Sequence, residues 1–204
     1  MKKLVLLALF AAITMKASAV LGIEFGVKAG INSTHFTADN YNAEGVTINN
    51  IQEDAKSGYS LGVYGLLPIS KKLRFQPELY YNSKNGSSDL VVDNVLYPSN
   101  IEIKSWDIPL LLNLKVIDLK VVEIYGLAGP AVSFLSNPTT TNFKENYKSA
   151  AWNFQAGVGV KIWRINVDTR YEWGLSNLSD NFEDMPDFTR KSNSFQINIS
   201  YKIL

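Results

Sequence analysis

Residues 165–175 read Ile165-Asn166-Val167-Asp168-Thr169-Arg170-Tyr171-Glu172-Trp173-Gly174-Leu175. Odd positions are aliphatic, aromatic or threonine; even positions are polar, charged or glycine. A period of two sends the two sets to opposite faces of a β-strand, whereas a helical period of 3.6 would scatter Arg170 and Glu172 among the aromatics. The preceding stretch, 152–162, sets Trp152, Phe154, Ala156, Val158, Val160 and Ile162 against Asn153, Gln155, Gly157, Gly159 and Lys161. Near the end of the chain, Phe195, Ile197, Ile199, Tyr201 and Ile203 oppose Ser194, Gln196, Asn198, Ser200 and Lys202.

Four earlier segments follow the rule less strictly. In 23–32, Ile23, Phe25, Val27, Ala29 and Ile31 alternate with Glu24, Gly26, Lys28, Gly30 and Asn32. In 59–68, Tyr59, Leu61, Val63 and Leu67 oppose Ser60, Gly62 and Tyr64; in 73–83, Leu73, Phe75, Leu79 and Tyr81 oppose Arg74, Gln76, Glu78 and Asn82. In 102–115, Trp106, Ile108, Leu110, Leu112 and Leu114 oppose Asp107, Pro109, Asn113 and Lys115. An eighth segment, 121–135, is apolar on both faces, which leaves its orientation open. Pro109 and Pro130 fall inside segments, where proline belongs at edges or bulges, so local register is less defined there.

The connectors alternate in length. Those near 33–57, 84–100, 136–149 and 177–191 are long and rich in Asn, Ser, Thr and Asp, and those near 69–72, 117–120 and 163–165 are short. Eight alternating segments with this rhythm predict an all-β fold: an eight-stranded antiparallel up-and-down transmembrane β-barrel with long extracellular loops and both termini in the periplasm.

The first residues are of another kind. Lys2 and Lys3 precede an apolar run from Leu4 to Ile13, and Ala17-Ser18-Ala19 forms an A-x-A cleavage site. This is the layout of a secretory signal peptide. A membrane anchor is the alternative, but the run is short for a bilayer and Lys16 closes it. The expected organisation is a signal peptide over 1–19 and a barrel over 20–204. The chain has no cysteine, which removes disulfides, thiolate chemistry and a lipoprotein anchor. Its 20 basic and 19 acidic residues form no basic stripe, so nucleic acid is not an expected partner. Mean hydropathy is −0.03, as expected when every strand averages two faces.

Alternation does not say which face meets lipid, and a soluble lipocalin-type barrel would reverse the assignment. Size favours the transmembrane reading. Eight strands enclose a lumen only wide enough for side chains. Tyr59, Tyr81, Trp106, Trp152, Tyr171, Trp173 and Tyr201 are too bulky a set to fill it, while the other face carries many glycines and serines. The aromatics are therefore expected toward lipid, some as interfacial girdles. The lumen then holds Glu24, Glu78, Asp107, Asp168 and Glu172 with Lys28, Arg74, Lys161, Arg170 and Lys202. Five acids and five bases in one narrow space are expected to pair into a hydrogen-bonded network, a structural plug. A proton or ion path is the sharper alternative, and a wide pore does not fit eight strands.

Several short motifs resemble, in order, the PorT-like outer-membrane β-barrel family of Bacteroidota. They are Gly26-Val27-Lys28-Ala29-Gly30-Ile31-Asn32, Phe75-Gln76-Pro77-Glu78-Leu79, Asp107-Ile108-Pro109-Leu110-Leu111, Ala128-Gly129-Pro130, Gly157-Val158-Gly159, and Arg170-Tyr171 with Gly174-Leu175. The resemblance spans essentially the whole mature chain. It implies an eight-stranded barrel in the outer membrane and no common activity; some relatives serve protease secretion or gliding, and most are described only as porin-like. Such barrels usually end on an aromatic residue read by the barrel-assembly machinery. This chain ends Tyr201-Lys202-Ile203-Leu204, which makes Tyr201 the candidate for that role.

Catalytic and metal chemistry finds little support. His35 is the single histidine, and as a general base at the extracellular rim it has no evident partner. One His without Cys does not make a His-rich metal site. Gly157-Val158-Gly159 lacks the spacing of a phosphate loop. Asp180, Glu183, Asp184 and Asp187 lack an ordered calcium spacing and fit a solvated loop. Asn32-Ser33-Thr34 matches a glycosylation sequon, which means little in a bacterium. No cofactor or metal is expected. The expected function is non-enzymatic: a monomer in outer-membrane lipid whose extracellular loops bind a protein partner or surface, or which serves a secretion or anchoring assembly. A small porin-like channel or transporter is the second reading, and an outer-membrane enzyme with a rim site the third.

Overall fold

The computed structural model describes residues 22–38, 42–43, 46–47, 52–92, 95–119, 121–140, 150–176 and 190–204, with side chains over 22–34, 57–85, 103–119, 121–136, 150–176 and 192–204. The expected signal peptide lies outside these residues, as do Asp180, Glu183, Asp184, Asp187 and the side chain of His35.

Ten strands are described: β1 (Glu24–Ala38), β2 (Asn42–Ala43), β3 (Val46–Thr47), β4 (Gln52–Pro68), β5 (Leu73–Val92), β6 (Val95–Leu119), β7 (Val122–Thr140), β8 (Ala150–Ile162), β9 (Ile165–Gly174) and β10 (Arg190–Lys202). β2 and β3 pair only with each other. The other eight close into an antiparallel barrel, each beside its sequence neighbour, and β1 seals the ring against β10. Closure removes every free edge, which is what a sheet surrounded by lipid requires.

Exposure follows sequence parity. In β9 the even positions from Asn166 to Glu172 are buried, and the odd positions are exposed except half-buried Thr169. The apolar set faces outward and the polar set fills the interior. β7, whose faces the sequence leaves open, turns Glu123, Tyr125, Leu127, Gly129, Ala131 and Ser133 inward. Leu111, Tyr125 and Leu127 form a small apolar cluster inside the lumen.

The strands outrun their expected ends. The stretch 84–100 is not a long loop: β5 and β6 continue pairing to Val92 and Val95, leaving only Asp93 and Asn94 between them. Of the other three long connectors two shorten, to 39–51, where β2 and β3 lie, and to 141–149, while the third keeps its length and shifts to 175–189. The cause is that backbone pairing persists where side chains on both faces are polar, as in Asn85-Gly86-Ser87-Ser88-Asp89, so hydrophobic alternation fades before the strand ends. At the opposite end, the connectors are 69–72, 120–121 and 163–164, and Trp163 sits at φ 55°, a backbone region that bulky residues rarely adopt.

Prolines interrupt the wall on one side. The pairing skips Gly65 and Leu66 against Gln76 and Pro77, then Glu78 and Leu79 against Ile108 and Pro109, then Leu110 and Leu111 against Gly129 and Pro130. Each gap contains a proline, which has no N–H to give the ladder. Pro77 stands opposite Leu110, so the gaps step across three neighbouring seams.

Candidate functional site

Inward-facing side chains from all eight barrel strands meet in the lumen. At its centre, Arg170 donates from Nη1 and Nη2 to the two carboxylate oxygens of Glu78, both at 2.8 Å, and from Nε to Asp168 at 2.5 Å. Lys28 donates to Glu78 at 2.8 Å and lies 4.0 Å from Asp168. Strands β1, β5 and β9 are thus tied across the lumen by two cations and two carboxylates. Bidentate geometry makes the Arg170–Glu78 pair the strongest kind of side-chain hydrogen bond.

Amides extend this cluster in both directions. Gln76 donates to Glu78 at 2.6 Å and accepts from Asn113 at 2.7 Å; Asn113 in turn accepts from Arg74, which pairs with Glu123. Toward the loop end, Gln155 donates to Glu172 at 2.6 Å, and Lys84 pairs with Glu172 at 2.5 Å. Asn198 donates to Asp168 at 3.0 Å. At the turn end, Glu24 takes Lys161 at 2.5 Å and Lys202 at 3.4 Å.

The ten charged residues expected in the lumen all lie on inward-facing positions, but they form separate groups. Lys28, Glu78, Asp168 and Arg170 meet directly. Arg74 and Glu172 join them through amides, while Glu24, Lys161 and Lys202 form their own triad. Asp107 touches none of the others: it accepts from Asn82 at 2.9 Å, and its Oδ1 has no protein partner. Three further charges belong to the network. Lys84 lies in a stretch that reads as loop, and Glu123 in a segment that is apolar on both faces. Lys115, on the polar face of 102–115, lies 3.2 Å from Glu123.

Tyrosines also enter the lumen, Tyr64 from the polar face of its segment and Tyr80 and Tyr125 from positions to which the sequence gives no face. Tyr64, Tyr80 and Tyr125 are buried inside, with Asn166 donating to the Tyr64 hydroxyl at 2.9 Å and Gln155 to that of Tyr80 at 2.8 Å. They fit because each stands opposite a glycine: Tyr64 faces Gly26, Tyr80 faces Gly62 and Tyr125 faces Gly159. A Cβ on Gly26 would come within 2.5 Å of the Tyr64 ring, and one on Gly159 within 2.5 Å of the Tyr125 hydroxyl. The ring of each tyrosine fills what the missing side chain vacates. Two small lumen voids are described, one lined by Tyr64, Arg74, Gln76, Tyr125 and Asn166, the other by Lys84, Ser105, Ser133, Asn153 and Ser192. Each measures about 10 Å³, the room of about one water molecule.

Outside, six of the seven expected interfacial aromatics share one level. Tyr59, Tyr81, Trp106, Trp152, Tyr171 and Trp173, with Phe134, Phe154 and Phe195, ring the loop end. Tyr59 and Tyr81 stand 6.5 Å apart, Tyr81 meets Trp106 edge-on at 5.6 Å, and Tyr171 meets Trp173 at 4.8 Å. Tyr201 lies apart from them, at the turn end opposite Ile165.

An apolar belt around a closed barrel with a charged interior defines an integral membrane barrel. The chain belongs to the family described as outer membrane protein beta-barrel domain, whose profile matches residues 14–180. It is accordingly an integral protein of the bacterial outer membrane. Among solved structures it is similar in fold to the outer membrane protein OprG of Pseudomonas aeruginosa, with 12% identity, coverage of 88% of this chain and 95% of that one, and a TM-score of 0.60. It is also similar to Neisserial surface protein A, with 11% identity, 88% and 97% coverage, and a TM-score of 0.50. No curated protein matches it.

Proposed function

We propose that this protein is a non-enzymatic outer-membrane barrel that acts through its loop-end surface, by binding a partner there or as part of a secretion or surface assembly, and that its lumen conducts no solute. The lumen network carries this reading. Arg170, at 1% exposure, and Glu78, at 3%, cross-link opposite walls at mid-barrel, and the neighbouring voids are of single-water size. Short connectors at the end that carries both termini support a periplasmic location for them. The ordered motifs from Gly26 to Leu175 support kinship with the PorT-like branch, and the first nineteen residues support export by a signal peptide. The test is electrical. The purified barrel in planar bilayers is expected to give no stable open current, and large sustained currents would replace this reading with that of a small channel.

A further inference from the structure

The three short connectors read Ile69-Ser70-Lys71-Lys72, Lys120-Val121 and Trp163-Arg164. Each joins an apolar residue to one or two basic ones, and none contains an acid. Ile69, Lys71, Lys72, Val121, Trp163 and Arg164 are all exposed on the connector tips. Among the described residues no carboxylate pairs with Lys71, Lys72 or Arg164, and the one exposed acidic side chain at this end, Asp118, takes Lys115 at 3.4 Å. The cations of the lumen mouth are a separate set, since Lys161 and Lys202 are taken up by Glu24.

The strand order sets 69–72, between β4 and β5, across the rim from 163–164, between β8 and β9, with 120–121 midway between them. The Trp163 N–H donates to the Val121 carbonyl at 3.2 Å, which holds two of the tips side by side. Trp163 sits at φ 55° in a two-residue hairpin connection, a place that normally goes to Gly, Asn or Asp. A bulky residue there carries backbone strain. Its ring lies 5.5 Å from the Arg164 guanidinium and is otherwise turned away from the barrel, so what it packs against belongs to the surroundings.

We propose that the connector tips form a rim that binds the anionic phospholipid headgroups of the surrounding leaflet. Ile69, Val121 and Trp163 enter the acyl boundary, and Lys71, Lys72 and Arg164 take the phosphates. Continuity with the wall argues for lipid: Leu67, Ile162 and Ile165, the wall positions beside these tips, are exposed apolar residues of the membrane belt. The same apolar-plus-cation pairing recurs on opposite sides of the barrel, which suits an annulus of headgroups; an acidic protein docked on one side would use part of it. Tryptophan beside Arg or Lys is also the combination that holds a protein at the membrane–water boundary. Each cation near an anionic surface is worth about fivefold in binding. The leaflet is the periplasmic one in the reading above, but the rim chemistry does not depend on that.

Trp163 is itself the reporter. Trp106→Phe, Trp152→Phe and Trp173→Phe leave it as the sole tryptophan of the full barrel. The protein is placed in symmetric vesicles of phosphatidylglycerol and phosphatidylethanolamine, with bromine on the chains of one lipid at a time. Brominated phosphatidylglycerol is expected to quench Trp163 as though enriched about fivefold over its share, an excess that high salt removes. Arg164→Gln should bring the enrichment back to about that share, while Arg164→Lys keeps it. Lys71→Gln with Lys72→Gln, across the rim, should leave the Trp163 reading unchanged. Thermal melts check folding, and native mass spectrometry of the barrel with all four tryptophans, comparing phosphatidylglycerol retention with and without Arg164→Gln, gives a second reading should the triple change prevent folding. Equal quenching by the two lipids, or a preference insensitive to Arg164→Gln, would overturn the proposal. So would a Trp163 that neither lipid quenches, which would leave the tip in water and favour an acidic protein. Symmetric vesicles make each result independent of which end faces the periplasm and of whether the lumen conducts.

Discussion

Arg170 shows how one side chain in this lumen answers for several. It is fully enclosed and satisfies both Glu78 and Asp168, so its loss leaves two buried carboxylates with Lys28 as their one shared cation. Arg170→Leu is expected to destabilise the barrel by about 3–5 kcal/mol in urea titrations from lipid vesicles. The neighbouring Val167 points the other way, 44% exposed to lipid. Val167→Leu should be nearly silent, whereas Val167→Arg should cost about 2–4 kcal/mol near the bilayer midplane. A stable Arg170→Leu beside a destabilised Val167→Leu would reverse the faces. Gly159→Ala probes the other packing rule. Its methyl group collides with Tyr125, and a loss of about 1–3 kcal/mol is expected in the same titration.

Strands were legible where lipid and lumen impose opposite demands on consecutive residues. β8, β9 and β10 meet that condition along their length, and their faces could be assigned from parity alone. β7 does not, because its lumen face carries Tyr125, Leu127 and Ala131 against the apolar patch at Leu111, so inside and outside look alike in sequence. The β5–β6 arms fail for the converse reason: polar residues on both faces hid a hairpin that Leu90-Val91-Val92-Asp93-Asn94-Val95-Leu96 signals through β-branched flanks around a two-residue connection. The lumen charges follow the same division: the ten on alternating strands were visible, while the amides joining them were not, since Gln76, Asn113 and Gln155 look like ordinary polar positions. At the proline gaps, the amides of Gly65, Glu78 and Leu110, which stand opposite Pro77, Pro109 and Pro130, are expected to exchange hydrogen faster than those of Val167, Ile197 and Ile199. Exchange in vesicles read by mass spectrometry checks this, and uniform protection around the wall would show that the gaps have no dynamic consequence.

At the scale of the molecule, the two ends differ in what they offer water. A protease added to intact cells is expected to cut within 177–189 and to spare 69–72 and 163–164. Cleavage at the short connectors from outside would invert the orientation. The aromatic ring has a consequence of its own. Because Tyr59, Tyr81, Trp106, Trp152 and Trp173 all sit at one level, that end is pinned to a fixed depth. The other end ends instead on Leu119, Val121 and Trp163, at 65%, 65% and 71% exposure, with few rings to hold it. A change in bilayer thickness is therefore absorbed on one side only. Thicker membranes draw those three side chains under the surface and thinner ones strand them in water, so hydrophobic mismatch is registered at the tips of the short connectors while the waterline at Trp106 stays where it is.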